Sequence, residues 1–473
     1  MIEKQDSLPM DYLIQSSQPS FQKEIILHIS LYIISLMLIV IIKHYLQRTT
    51  TEILGIEEQL VLACSEGNIE EVEGLLINNP QKNLKIDSMS IQIACEKGYI
   101  EVAKLLLNDE RIDVNTVSGR NGKTLLYTAC LNGDICIEIV KLLFNDERVD
   151  INKPNDNGAT PFIIACWNGD IEIVKLFLND PRVELSEGLN NIDESETPFY
   201  VACINGHIEI VKLLLNDNRV EVNEANKFDF KTPFFAACEK GYIGIVKLLL
   251  NDKRIDINKP SKFNETPFFI ACAKGHIEIV NLLLSDKRVD MNKADSDGVT
   301  PFFIAYRYGH IEIVKLLFND QRVDINIVDS DGETPLSIAC YSGDIEIVKL
   351  LLSDERIDIN IENGIEETPL QIACQLGHIG IVEYILANGR EVDLNPQLRT
   401  WSAKKRQQIE QEDLELKESY QNIVNIVKVL ELFESNPIET RTKLKIKFRL
   451  TGKQSIIYLF FEHIFYLWKF IFQ

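Results

Sequence analysis

The chain has 473 residues, of which 71 are acidic and 49 are basic, and its formal net charge is −22. Hydrophobic residues make up 45% and charged residues 25%, a composition that excludes disorder over most of the chain. The acidic excess argues against a nucleic-acid partner, which needs a basic stripe, and is compatible with a basic protein partner.

The N-terminal region contains one long apolar stretch. Residues 1–24 are a polar segment, and residues 25–42 carry no formal charge. As a helix these residues would span ~27 Å, enough to cross a hydrocarbon core. We therefore expect a transmembrane helix and not a signal peptide, because the preceding segment is partly acidic and no small-residue cleavage site follows. The alternative is a buried helix that packs on the first repeat.

Charges that flank this stretch suggest an orientation. Lys43 and Arg48 follow it, whereas only Lys23 precedes it nearby. The positive-inside rule then predicts a single-pass membrane protein whose C-terminal side faces the cytosol.

From residue 52 to residue 396 the sequence repeats itself about ten times. The copy at Thr266–Asn292 reads TPFFIACAKGHIEIVNLLLSDKRVDMN, and similar strings begin at Thr300 and Thr334, each 34 residues further on. Each copy predicts a first helix with a Thr N-cap and a Gly end, then a second amphipathic helix. Two such short helices cannot form a core alone, so the copies must stack on one another.

The pattern T-P-F/L-x-x-A-C-x-x-G-H-I-E-I-V-x-L-L-L, followed by V-D-I-N, resembles the ankyrin repeat. The resemblance implies an all-α ankyrin-repeat solenoid of stacked helix-turn-helix units with extended loop tips. Two departures stand out. The His that usually follows T-P-L is absent, and the family's glycine-containing loop is replaced by a longer one, N-D-K-R-V-D-I-N.

Cysteines recur at one position of the repeat. Nine of the ten follow the Ala of the first helix, and Tyr306 takes that place in the remaining copy. Neighbouring helices lie ~8–10 Å apart, beyond the reach of a disulfide, so we expect buried, unpaired thiols in a reducing compartment. This agrees with repeats in the cytosol. Cys136 lies in an insertion and is the one candidate for an exposed thiol.

No catalytic or metal-binding motif is found in the sequence. Phosphate-binding, nucleophile-elbow and zinc-protease motifs and C-x-x-C pairs are all missing. Asp295–Gly298 and Asp329–Gly332 lack the distal Glu of a calcium loop, so we interpret them as turns. Four histidines share the start of the second helix, where we expect them to cap it: His207, His276, His310 and His378. We predict no enzyme activity, no cofactor and no metal.

The resemblance instead implies a binding surface. In ankyrin-like arrays it consists of loop-tip residues before the Thr and of the last positions of the first helix. The matching loop-tip residues are Asn157, Ala159, Asp229, Lys231, Asn264, Glu265, Asp297, Val299, Asp331 and Glu333. The matching residues of the first helices are Trp167, Asn168, Glu239, Lys240, Ala273, Lys274, Arg307, Tyr308, Tyr341 and Ser342. Trp167, Arg307, Tyr308 and Tyr341 are of the types that dominate binding energies.

A second row lies three positions after the Thr of each copy. Its members are Tyr127, Ile163, Tyr200, Phe235, Phe269, Phe303, Ser337 and Gln371. We interpret the row as packing between repeats; the alternative is an apolar lining of the groove.

The repeat pattern weakens toward the C-terminus. Residues 397–436 are predicted to form a degenerate capping repeat, and residues 437–473 a basic and aromatic tail. Thr442–Leu450 alternates basic and apolar residues, and Ser455–Gln473 is densely aromatic. The tail is compatible with an interfacial helix on anionic lipid, with a second span, or with a helix folded onto the last repeat.

These features together predict a membrane-tethered ankyrin-repeat scaffold that binds a protein partner on its concave surface. Two alternatives remain open. The chain could be an accessory subunit of a membrane transport complex, or a soluble adaptor whose hydrophobic ends cap the array.

Overall fold

The computed structural model describes residues 55–79, 88–117, 121–185, 196–412 and 421–448. In these ranges the chain forms helices joined by loops and no β-strand. It divides into two compact units, one ending at Val183 and one beginning at Glu184. No helix in these ranges is long and apolar enough to cross a membrane. The predicted transmembrane helix at 25–42 lies outside the described residues.

Helix pairs build both units. In the first unit the pairs are Ile56–Glu66 with Ile69–Asn78, Ser88–Lys97 with Ile100–Leu107, Leu125–Leu131 with Ile137–Asn145, and Pro161–Asn168 with Ile171–Asn179. In the second unit they are Pro198–Ile204 with Ile208–Leu215, Pro233–Lys240 with Ile243–Leu250, Pro267–Ala273 with Ile277–Ser285, Pro301–Arg307 with Ile311–Asn319, Pro335–Ser342 with Ile345–Leu352, and Pro369–Gln375 with Ile379–Ala387. Three further helices follow, Pro396–Glu412, Gln421–Ser435 and Pro437–Lys447. The stacked pairs agree with the predicted solenoid.

The first helix of each Thr-Pro copy begins as predicted. The Thr266 hydroxyl accepts a hydrogen bond from the Phe269 N–H at 3.1 Å, and Pro267 is the first helical residue. Gly275 then takes a left-handed conformation with φ +77°, and a Cβ there would lie 2.6 Å from Cε1 of His310 in the next repeat. Glycine is therefore needed both for its backbone angle and for the room that it leaves to the imidazole ring.

The histidines at the start of the second helix do not cap it. The His276 Nε2–H donates to the Glu239 carbonyl at 3.0 Å, and the His310 Nε2–H donates to the Ala273 carbonyl at 3.0 Å. Both acceptors belong to the preceding repeat, and neither histidine makes a side-chain bond to its own helix start. The capping prediction was wrong for these two residues, whose side chains join neighbouring repeats. Asp344, at the same position, does cap its helix.

The unusual loop after the second helix also joins repeats. Asp286 accepts hydrogen bonds from the Arg288 N–H and Nη2, and that Nη2 also donates to the Leu250 carbonyl in the preceding repeat at 2.8 Å. Asn258 donates to the Arg288 carbonyl at 2.7 Å and accepts from the Asp290 N–H at 2.9 Å. The same contacts recur along the second unit. They supply a role for the motif N-D-x-R-V-D-I-N that its sequence did not reveal.

The core follows the predicted positions. The row three residues after each Thr is buried from Tyr127 to Gln371, so it packs between repeats and does not line a groove. All ten cysteines are buried and unpaired, as expected for the nine at the repeat position.

Cys136 departs from expectation. Its insertion folds into a 3₁₀ turn, Gly133–Cys136, that leads directly into the second helix. The turn buries the side chain, and the Sγ–H donates to the Cys95 carbonyl at 3.1 Å. The prediction of an exposed thiol was wrong, because the 3₁₀ turn directs Cys136 inward while the neighbouring Ile135 is 73% exposed.

Tyr306 takes the place of cysteine in one Thr-Pro copy. Its ring is buried, and its hydroxyl hydrogen-bonds to the Ser342 Oγ at 2.8 Å. The first helices Pro301–Arg307 and Pro335–Ser342 pack less closely than the first helices on either side.

The three C-terminal helices cover the end of the second unit. Pro437–Lys447 packs on Ile379–Ala387, and Lys447 forms an ion pair with Glu383. The described part of the basic and alternating stretch is thus helical and lies against the last repeat. Residues 449–473 lie outside the described residues, and the interfacial interpretation of that part stays a prediction.

Candidate partner-binding face

In two repeats of the second unit, the residue before the Thr contacts the end of the first helix. In the second unit, Lys231, directly before a Thr, lies 3.0 Å from Glu239 at the end of the first helix. Gln375 donates to Glu367 at 2.6 Å in the same relation. The two predicted sets of binding residues therefore share a face in each of these repeats, and we call it the partner face.

Most of the predicted binding residues are at least partly exposed. Tyr308 and Tyr341 have 62% and 65% of their surface exposed, and Trp167 in the first unit has 48%. The other exposed members are Asn157, Asn168, Lys240, Lys274, Asp297, Arg307, Asp331 and Ser342. The partly buried members are Asp229, Lys231, Glu239, Asn264, Glu265, Ala273 and Glu333.

Two predicted members are buried and cannot contact a partner. Ala159 and Val299, directly before a Thr, are each only 4% exposed. Their carbonyls accept the N–H of Asn155 and Asp295 at 3.0 Å, which closes the loop. A short side chain at this position stays inside the turn, so these two predictions were wrong.

Asn264 has a structural use that explains its partial burial. Its Nδ2 donates to the Ala294 carbonyl of the next repeat at 2.8 Å, and its φ is +60°. The residue before it, Phe263, lies three positions before its Thr, as Asp297 does, and is exposed. Sequence reasoning missed Phe263 because it took Asn264 in this copy, and a constant offset from the Thr would have found it.

The preceding loop tip carries two more exposed aromatic residues, Phe228 and Phe230. Phe230 has φ +57°, a left-handed conformation that is unusual for an aromatic residue. These two were missed because the loop from Asn226 to Lys231 is one residue longer than its equivalents.

Lys231 forms an ion cluster with two carboxylates of the partner face. Lys231 Nζ lies 2.9 Å from Asp229 and 3.0 Å from Glu239, and 5.5 Å from the Phe235 ring centroid. Burial lowers the pKa of Lys231, but the two carboxylates more than offset this effect and the pKa is raised overall. Glu239 is thus held by an intramolecular cation.

Three cations of the face are arranged differently. Lys240 and Arg307 end their first helices, Lys274 directly follows the first helix between them, and all three are exposed. Within the described ranges none of them forms an ion pair. Arg307 acts only at a distance: burial raises the pKa of Asp295, and the Arg307 charge partly offsets this rise.

Catalysis in the described residues could use a metal ion or a reactive thiol. These residues contain no group of three His, Cys, Asp or Glu side chains that could hold a metal ion. Burial raises the pKa of the repeat cysteines, for example that of Cys64 to about 12, which keeps their thiols protonated and poorly nucleophilic.

Comparison with known proteins gives one family match. The family model described as Ankyrin repeats (3 copies) matches residues 60–155, 91–187, 181–261, 235–329 and 321–396. Together these ranges cover residues 60–396, well over half of the 473-residue chain. No curated protein matches the sequence.

Proposed function

This chain belongs to the ankyrin-repeat family, and on that premise we propose that it is a scaffold that binds a protein partner through the partner face. The observation that carries the proposal is the division of each repeat into two kinds of position. Residues such as Thr266, Ala271 and Cys272 are buried and recur in copy after copy, whereas exposed residues at the end of the first helix differ. A rigid frame with variable exposed positions suits recognition, because little ordering entropy is lost on binding.

The strongest contacts are expected from Trp167, Arg307, Tyr308 and Tyr341. Aromatic and arginine side chains dominate binding energies because they bury large areas at low entropic cost. Binding of this kind requires no chemical step, and we propose no catalytic activity.

The test compares two variants of the full chain in proximity labelling or affinity capture. The first replaces Trp167, Arg307, Tyr308 and Tyr341 by alanine. The matched control replaces four exposed residues of second helices, Glu172, Glu278, Lys315 and Glu346, by alanine. We expect the first variant to lose specific partners and the control to keep them, with unchanged circular dichroism in both. Equal recovery from both would refute the assignment of the face.

We further propose that residues 25–42 tether the array to a membrane with the repeats in the cytosol. The support is the uncharged length of this stretch and the basic residues that follow it. Alkaline carbonate extraction of the full chain, and of a variant without residues 1–48, tests the tether. Release of the full chain into the supernatant would refute it and would favour a soluble adaptor.

A further inference from the structure

We propose that the partner face of the second unit selects an extended, acidic segment of its protein partner. The contacts would come from Lys240, Lys274 and Arg307, and the inference rests on the proposed function. The net charge of −22 is compatible with a basic partner, whereas the local arrangement of these three cations favours an acidic one.

The spacing of the three cations determines the spacing of acidic residues that they would bind. They end the first helices Pro233–Lys240, Pro267–Ala273 and Pro301–Arg307 or follow directly, and these helices pack on one another in succession. Packed helices lie ~8–10 Å apart. An extended ligand in the polyproline II conformation advances ~3.1 Å per residue with three residues per turn, so every third side chain lies on the same face. One repeat therefore corresponds to about three residues of an extended ligand, so acidic side chains at every third position would each meet one cation.

The nearby carboxylates are engaged inside the array. Glu239 pairs with Lys231, and Glu265 accepts a hydrogen bond from the Ser261 hydroxyl at 3.1 Å. Asp295 accepts the N–H groups of Asp297 and Val299, both at 2.9 Å. These acids stabilise their own loops, whereas the side chains of the three cations form no hydrogen bond or ion pair within the described part of the chain.

Other charges shape the site without cancelling it. Asp297 and Asp331 are exposed at the loop tips and would repel an acidic segment from the tips toward the helix ends. At physiological salt, charges more than ~8 Å from the segment are largely screened. Beyond Arg307, the exposed rings of Tyr308 and Tyr341 offer contacts to an apolar residue that follows the acids.

The experiment uses the full chain, purified in mild detergent, and three fluorescein-labelled peptides. The first peptide has three aspartates separated by pairs of serines, and then a phenylalanine after two more serines. The second has the same composition with its aspartates adjacent, and in the third asparagine replaces each aspartate. Fluorescence anisotropy gives the Kd of each peptide.

Two charge-reversal variants are compared with the natural chain. One is K240E/K274E/R307E. The matched control, K247E/K253E/K287E, changes the charge by the same amount at exposed lysines of two of the same repeats, away from the first helices. We expect the natural chain to bind the spaced peptide most tightly. The first variant should weaken this Kd by ~10-fold or more, equivalent to ~1.4 kcal/mol, and the control by less than ~2-fold.

Several results would overturn the inference: no binding of the spaced peptide, equal binding of all three peptides, or equal weakening by the two variants. Its failure is separable from failure of the proposed function. Suppose that the alanine variant of Trp167, Arg307, Tyr308 and Tyr341 loses partners, but the three peptides bind with the same Kd. The proposed protein binding would then be supported, and the selection of an acidic segment would be refuted. If that alanine variant keeps every partner, the proposed function is refuted.

Discussion

Asn258 offers the sharpest test of how neighbouring repeats are joined. Its amide donates to the Arg288 carbonyl at 2.7 Å and accepts from the Asp290 N–H at 2.9 Å, both in the next repeat. Asn258→Ala removes both hydrogen bonds. At ~0.5–1.5 kcal/mol for each bond, the free energy of unfolding should fall by about 1–3 kcal/mol. Since the partners are near the surface and water can replace part of each bond, the lower half of this range is expected.

The assay combines urea unfolding, followed by far-UV circular dichroism, with hydrogen exchange at the Asp290 amide. Local exchange is needed because a repeat array does not unfold as a simple two-state system. Asn258→Ala should speed exchange at Asp290. Asn258→Asp keeps the acceptor but loses the donor, so it should protect that amide while still lowering stability. The reasoning would be refuted if Asn258→Ala had the same exchange rate at the Asp290 amide and the same free energy of unfolding as the natural chain.

Three further changes test other parts of the frame. Thr266→Ala removes the N-cap bond to Phe269 and should cost ~0.5–2 kcal/mol in urea unfolding, whereas Thr266→Ser, which keeps the hydroxyl, should cost much less. Tyr306→Phe removes the hydroxyl bond to Ser342 and should cost ~0.5–1.5 kcal/mol by the same assay; an unchanged midpoint would mean that the bond adds nothing. Hydrogen bonds from Arg288 lower the pKa of Asp286 below its usual 3.8, so its stabilisation is present above that pH and is lost as the pH falls through the lowered value. Acid unfolding of Asp286→Asn should therefore show a shallower pH dependence below pH 4, and an identical acid limb would contradict this.

Local chemistry accounts for the parts of the fold that the sequence predicted. The Thr cap, the Pro at the first helical position and the Gly at the end of the first helix act over three or four residues, so their pattern is legible in the chain. Repetition then multiplied a weak local signal into a strong one. The burial of the row from Tyr127 to Gln371 followed from the same pattern, because large side chains at one repeated position must pack on their copies.

The errors have a different origin. Ala159 and Val299 were assigned to the binding surface by their offset from the Thr, but a short side chain there stays inside the turn. His276 shares its position with capping residues, yet its long ring reaches the Glu239 carbonyl of the preceding repeat. The exposure of Cys136 depended on how the inserted residues fold, and no local sequence pattern determines that.

The sequence by itself determined the repeating helix pair, the positions of its caps and the residues that must be buried. These depend on interactions within one repeat and on a periodicity that one chain displays. Tertiary structure alone decided which side chains cross from one repeat to the next, as Asn258 and Arg288 do, and which charges are satisfied internally. Lys231 is neutralised by two carboxylates, whereas Lys240, only nine positions on, is exposed beside Lys274 and Arg307. Such pairing depends on distances between atoms of loops and helices that pack together. These distances cannot be predicted from the order of residues.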